Sequence, residues 1–109
     1  MPTLLHVYNN RSSLMRRSAE YGIQSLRLYG SALYEKGNAK SSIDLIAIFD
    51  PTVEGSIPSN SFIEWELKNV LGRDRDISIV DSRQTTAEQL ILSSVDIMNI
   101  DPNCIYSKE

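Results

Sequence analysis

Two short segments carry the residues whose types and spacing are best suited to chemistry. Gly30 and Ser31 follow an apolar run that ends at Tyr29, and Asp44 interrupts a second apolar run. Backbone amides converge where a Gly-Ser turn enters a helix, and the helix N-terminus favours negative charge. The turn is therefore a candidate anion site, and Asp44 is a candidate carboxylate on one face of the next strand.

The elements that must position these residues alternate between helix and strand. Apolar residues at helical spacing predict a first helix over about 11–21, with Gly22 placed to end it in a left-handed turn. Near-continuous apolar runs predict strands. The remaining pattern predicts strands at 23–29, 43–49 and 77–80, a short turn at 32–36, a helix from Ser59, Asn60 or Ser61 to Gly72, a last helix from Thr85 or Thr86, and an ambiguous stretch at 95–100. This order is typical of a small α/β domain.

Length and charge restrict the classes of function. The 109 residues suffice for one domain, 1–109, and eleven Lys and Arg against fourteen Asp and Glu give a net charge of −3. That balance argues against generic nucleic-acid binding, although a small anionic ligand needs only local donors. The lone Cys104 and lone His6 exclude an internal disulfide and a Cys/His zinc site. With no targeting pattern and no apolar stretch of membrane-spanning length, we expect a cytoplasmic location and no membrane partner.

The segment 28–49 resembles the minimal nucleotidyltransferases of the DNA polymerase beta superfamily. Their motif is an apolar strand, Gly-Ser, a small-residue spacer and Asp-x-Asp on a second apolar strand. Here Gly30-Ser31 is followed by residues 32–41 and then by Ser42-Ile43-Asp44. The resemblance continues to Leu71-Gly72-Arg73 and covers about residues 14–92. It implies an α+β, nucleotidyltransferase-like fold with a small mixed sheet and helices packed mainly on one side.

The resemblance also implies a site. ATP phosphates would bind at Gly30, Ser31 and Ser42, and Asp44 and Asp76 would be the catalytic, Mg²⁺-binding carboxylates. Residues i and i+2 of a strand share a face, so an Asp-x-Asp pair can hold ions that stabilise both the attacking and the leaving oxygens. Ser42 stands where the family has its first Asp.

The third carboxylate of the family has two possible counterparts in this chain. One register matches the spacing after Leu71-Gly72-Arg73 and selects Asp76, whereas the other matches the downstream residues 80–83 and selects Ser78. The second register is slightly favoured. Glu35, in the spacer, is a further candidate ligand, whereas Asp50 lies too far along the chain from Asp44 to share an ion with it.

Two functions from different classes follow from the resemblance. The first is a binding protein with impaired or lost catalysis, an antitoxin-like or regulatory partner of a helical HEPN-type toxin, which requires no cofactor. The second is an active enzyme that uses ATP and Mg²⁺ to transfer AMP to a tyrosine hydroxyl of a partner protein. Nucleotide sensing without catalysis is a weaker third function, and a homodimer is an alternative to the toxin as partner.

Overall fold

The computed structural model describes residues 3–34, 42–52 and 58–101. These residues form a mixed α/β structure, which confirms the predicted fold class. The elements in chain order are α1 (Thr3–Asn9), α2 (Arg11–Ala19), β1 (Ile23–Tyr29), α3 (Ser31–Tyr34), β2 (Ile43–Phe49), α4 (Asn60–Leu71), β3 (Ile77–Asp81), α5 (Ala87–Leu92), β4 (Val95–Asp96) and a 3-10 turn (Ile97–Asn99).

The strands form one four-stranded mixed sheet in the order β3-β2-β1-β4. β1 is antiparallel to both β2 and β4, whereas β2 and β3 are parallel. β2 is a nearly continuous apolar run and β1 alternates apolar and polar residues, as expected for central strands that are flanked on both sides and covered on at least one face. The ends of β1 and β2 that carry Gly30 and Asp44 therefore meet in the middle of the sheet.

The main core lies between one face of the sheet and the helices. Alternate residues of β2 point into it, and α4 contributes residues at intervals of four, the spacing that places side chains on one helix face. α2 packs against β1, and α4 packs against β3. The largest members of this cluster that are fully buried are Val7, Leu14, Leu26, Leu28, Ile43, Leu45, Ile63, Leu67 and Ile97.

The second face of the sheet is covered only in part. Ile46 and Ala87 are fully buried but do not belong to the main core cluster. α5, which begins at Ala87, contacts β1 and β2. Helices therefore pack mainly on one side, and the second face, which includes Asp44, remains partly open.

β3 is an edge strand whose outer backbone groups are satisfied by α4. The Glu64 carboxylate accepts a hydrogen bond from the Ile79 N–H at 2.8 Å, and Asn60 Nδ2 donates to the Ile79 carbonyl at 3.3 Å. Unpaired edge groups invite strand pairing with other molecules, and covering them with a helix is one way to prevent it. At Ile79, side chains of α4 take the place of a further strand.

Several element boundaries differ from the predictions. α1 was not predicted, and its His6 contacts the Leu71 carbonyl through Nε2 at 2.7 Å, so this histidine ties α1 to the end of α4. α2 ends at Ala19, two residues earlier than predicted, whereas Gly22 adopts the expected left-handed conformation with φ +81°. The ambiguous stretch divides into β4 and the 3-10 turn.

The described helices are all too short or too polar to cross a membrane.

Candidate functional site

Gly30 and Asp44 are in direct contact where β1 ends and β2 begins. Asp44 pairs with Tyr29 in the antiparallel register, which places its side chain beside the turn. Gly30 has φ +79°, and a Cβ at this position would lie 2.6 Å from Asp44 Oδ2. Glycine is thus required here both by the left-handed backbone and by the approach of the carboxylate. The two residues that the motif predicted as neighbours are brought together.

The Asp44 carboxylate is partly removed from water, and no donor or cation of the described residues replaces the lost hydration. Burial raises its pKa above the ordinary value. Among the residues the structure describes, none donates a hydrogen bond to it and none forms an ion pair with it. The neighbouring Tyr29 also has a raised pKa, first because of burial and then because of the negative charge of Asp44. The site therefore carries one poorly solvated negative charge.

Arg27 lies on the same face of the sheet but does not neutralise Asp44. It stands two residues before Tyr29, and its Nε donates to Ser94 Oγ at 2.6 Å while Nη2 donates to the Ser94 carbonyl at 3.1 Å. The guanidinium is thereby directed toward the residues that enter β4. The contact joins residues 67 positions apart, and no local pattern in the sequence predicts it.

The strand register decides which residue stands beside Asp44. In the parallel pair of β2 and β3, Asp44 is opposite Ser78. Asp76 precedes β3, is exposed, and accepts a hydrogen bond from the Ile43 N–H through its backbone carbonyl at 2.8 Å. Ser42 directly precedes β2, two residues before Asp44. The residues opposite Asp44 in the two neighbouring strands, Tyr29 and Ser78, carry hydroxyls, as Ser42 does, and none of the three carries a carboxylate.

These donors do not fit a paired Mg²⁺ centre. Mg²⁺ is held in proteins by carboxylates together with substrate phosphates, and a neutral serine hydroxyl supplies no charge. Within 3–34, 42–52 and 58–101 there is no group of three or more His, Cys, Asp or Glu that could hold an ion. Asp50 is engaged with the Thr52 N–H and hydroxyl at 2.8 and 2.7 Å, and these hydrogen bonds lower its pKa. Glu35 lies outside the described residues.

The predicted phosphate site is small. α3 begins at Ser31 and has four residues, and the Leu33 N–H already donates to the Gly30 carbonyl at 3.1 Å. A single turn contributes little of the macrodipole that attracts anions to longer helices. The side chain of Ser31 is outside the described part of the structure. Nucleotide binding by Gly30, Ser31 and Ser42 stays a prediction, and the adjacent Asp44 charge opposes it.

No family model matches the chain, and no curated protein matches it. The nucleotidyltransferase resemblance accordingly rests on the motif residues of the sequence alone.

Proposed function

We propose that this chain is a nucleotidyltransferase-like domain that acts in the cytoplasm by binding a partner and not by transferring nucleotides. The partner class is the HEPN-type toxin, with this chain as the antitoxin-like or regulatory half. The observation that carries the proposal is the pairing of Asp44 with Ser78, with Ser42 two residues before Asp44. One carboxylate stands where the resemblance implies three.

The chemistry of phosphoryl transfer supports this proposal. The reaction develops charge on the attacking and leaving oxygens, and paired metal ions stabilise both. A single carboxylate supplies little of the charge that holds a divalent cation, and the burial that raises its pKa disfavours the charged form that would bind one. Asp76 is not the residue opposite Asp44, because the register pairs Asp44 with Ser78, and Asp76 precedes β3.

The loss of catalysis is tested by transfer of labelled AMP from ATP in the presence of Mg²⁺ and the candidate partner. We expect no transfer from the wild-type chain. The double variant Ser42→Asp/Ser78→Asp adds the two carboxylates that the resemblance implies beside Asp44. Labelled transfer by this variant would directly support the proposal that the catalytic ion site has been lost. The matched control is Ser42→Asn/Ser78→Asn, which adds similar volume without charge. Transfer by the wild-type chain that Asp44→Ala abolishes would overturn the proposal.

The partner class is tested by co-expression with the product of the adjacent gene, followed by size exclusion with light scattering. We expect a stable heteromer in which the ribonuclease activity of the HEPN-type protein is suppressed. Recovery of this chain alone, or of a heteromer with undiminished ribonuclease activity, would contradict the assignment as antitoxin.

An active AMP transferase is the second candidate function, and one observation favours it. The Gly30 turn and Asp44 remain packed against each other at the junction of β1 and β2, as a working phosphate and metal site would require. In this case ATP and Mg²⁺ are the cofactors and a tyrosine hydroxyl of the partner is the acceptor. The labelled-ATP assay separates the two candidates, because only the active enzyme loses transfer in Asp44→Ala.

A further inference from the structure

A cluster of exposed rings lies on the outer side of α2 and α4. Trp65 is 50% exposed and Phe62 is 44% exposed. Their rings stack with centroids 6.3 Å apart, and Tyr21 meets Phe62 edge-on at 5.8 Å. The Arg73 guanidinium lies 4.3 Å from the centre of the Trp65 ring. We call these four residues the aromatic surface.

The aromatic surface is held in place by a hydrogen-bond network behind it. The Tyr21 hydroxyl donates to Glu66 Oε1, while Arg17 and Asn69 donate to Glu66 Oε2 at 3.4 and 3.1 Å. This network raises the pKa of Tyr21 to about 12, mainly through the hydrogen bond to Glu66. Rings that are already fixed lose little conformational freedom when a partner covers them.

The same surface carries unneutralised positive charge. A groove of about 390 Å³ between α2 and α4 is lined by Asn10, Ser13, Arg16, Arg17, Glu20 and Val70. Arg17 is shared between Glu20 and Glu66, at 3.7 and 3.4 Å. Neither Arg16 nor Arg73 has a carboxylate partner among the described residues. Local excess of cation on a chain of net charge −3 marks a surface complementary to acidic groups.

This surface is separate from the Asp44 site. α2 and α4 cover the core face of the sheet, to which Leu14, Ile63 and Leu67 contribute, whereas Asp44 belongs to the opposite face. A partner bound to the outer side of the helices leaves the Gly-Ser turn accessible. Exposed clusters of Trp, Tyr and Arg are also the composition that dominates binding energy in protein interfaces.

We propose that the aromatic surface, together with Arg16 of the adjoining groove, docks an acidic segment of a partner protein that also presents apolar side chains to Phe62 and Trp65. We assign this surface as the place where the partner of the proposed function attaches, so the inference rests on that function. Glu20 and Glu66 lie among these arginines, so a nucleic-acid strand, which carries a phosphate at every nucleotide, fits this surface less well than a segment whose few carboxylates face Arg16 and Arg73.

Trp65 is the only tryptophan of the chain, so its fluorescence reports directly on this surface. The probe is a synthetic helical peptide with Glu on one face and Leu on the other, and the matched probe has Gln in place of every Glu. We expect the acidic peptide to shift the Trp65 emission, to bind more weakly as salt is added, and to bind at least about tenfold more tightly than the Gln peptide.

The variants Arg73→Glu and Arg16→Glu should each weaken binding of the acidic peptide, whereas Leu92→Ala, at an 82% exposed leucine elsewhere, should not. Circular dichroism checks that each variant folds. Arg16 is exposed and makes no ion pair within the described ranges, so Arg16→Glu still tests the inference if Arg73→Glu unfolds. Equal binding of both peptides, or no binding of either, would overturn it.

Two further outcomes would also overturn the inference. One is an emission shift with single-stranded RNA and none with the acidic peptide, and the other is a shift that depends on protein concentration alone, which indicates a second copy as occupant. The toxin complex separates this inference from the proposed function. A toxin complex unchanged by Arg16→Glu/Arg73→Glu would contradict the docking surface but not the proposed function. Peptide binding without any toxin complex would contradict the proposed function but not the docking surface.

Discussion

At the scale of single residues, the charge of Asp44 has no ion-pair partner in the described part of the site. The carboxylate abuts Gly30, lies opposite Tyr29 and Ser78, and receives no hydrogen bond from the described residues. Removing a charge from water costs free energy unless another charge or a donor compensates it. Neither Ser42 nor Ser78 donates a hydrogen bond to Asp44, so this cost remains. Two predictions concern Asp44 and its contact with the turn.

The first prediction concerns stability as a function of pH. Because burial raises the folded-state pKa of Asp44 above its ordinary 3.8, the folded chain binds more protons than the unfolded chain between 3.8 and the raised value. Stability contributed by this group is therefore full below 3.8 and is lost as pH rises through the folded pKa. We expect Asp44→Asn to raise the unfolding free energy at neutral pH, with the difference disappearing in acid, as measured by urea unfolding.

Asp50→Asn is the matched control, and its effect on the unfolding free energy should have the opposite sign. Hydrogen bonds from Thr52 lower the pKa of Asp50, so its contribution is present above the ordinary value of 3.8 and is lost as pH falls through the lowered one. This variant should therefore be less stable than wild type at neutral pH. A neutral-pH loss of stability in Asp44→Asn would show that the carboxylate has a compensating partner.

The second prediction concerns the contact between Gly30 and Asp44. Gly30→Ala should cost about 1–2 kcal/mol for the left-handed backbone alone, and more because the new Cβ meets Asp44 Oδ2. In an Asp44→Ala background only the backbone cost should remain, and Gly22→Ala, at φ +81°, measures the cost of a similar left-handed position. Chemical denaturation of the double-mutant cycle checks this. Equal costs of Gly30→Ala in both backgrounds would mean that the carboxylate does not press on the turn.

At the scale of elements, the edge strand β3 depends on α4 for more than apolar packing. α4 begins after Ser59, whose Oγ accepts a hydrogen bond from the Phe62 N–H at 3.2 Å and thereby fixes where the helix starts. From that start, Asn60 and Glu64 reach both backbone groups of Ile79. The helix thus holds the edge of the sheet at the strand that carries Ser78.

The third prediction tests this helix-to-edge contact. Glu64→Ala should lower the unfolding free energy by about 1 kcal/mol, because it leaves the Ile79 N–H without its acceptor at a partly exposed edge. Glu64→Gln keeps an acceptor oxygen and should recover most of the loss, and Gln89→Ala, at an exposed position of α5, serves as the surface control. Denaturant unfolding at equal protein concentration measures all three. Identical losses for Glu64→Ala and Glu64→Gln would contradict the account.

The elements also show what the sequence could and could not predict. β1 and β2 were predicted with their observed bounds, β1 from its alternation of apolar and polar residues and β2 from its nearly continuous apolar run. α1 was missed because distant contacts hold it, through Val7 in the core and the His6 bond to Leu71.

The candidate site was likewise predictable only in part. The resemblance implied one site for the Gly-Ser turn and Asp44, and the antiparallel pairing of β1 and β2, with Tyr29 opposite Asp44, places the two side by side. The choice between Asp76 and Ser78 needed the hydrogen-bonded register, because both alignments satisfy the local pattern. The contribution of Tyr21 to the aromatic surface could not be predicted, since Tyr21 lies in the turn after α2 and meets Phe62 of α4 only through tertiary packing.

At the scale of the whole molecule, one sheet separates two surfaces of different character. The partly open face carries the Asp44 carboxylate beside the Gly-Ser turn, and the outer side of α2 and α4 carries the fixed rings together with Arg16, Arg17 and Arg73. On a chain of net charge −3, Arg16 and Arg73 give the second surface a local positive charge that can attract an acidic segment. We therefore propose a binding function. On one face Asp44 lacks the neighbouring carboxylates that an ion site needs, and the outer side of α2 and α4 carries the proposed docking surface.

The central claim is that Ser42 and Ser78 have removed the ion site beside Asp44, and calorimetric titration with Mg²⁺ tests it most directly. Wild type, Ser42→Asp/Ser78→Asp and the neutral Ser42→Asn/Ser78→Asn are titrated under identical conditions. We expect the acidic double variant to bind Mg²⁺ at least about tenfold more tightly than wild type, and the neutral double variant to match wild type. Wild-type binding of Mg²⁺ as tight as that of the acidic variant would contradict the claim.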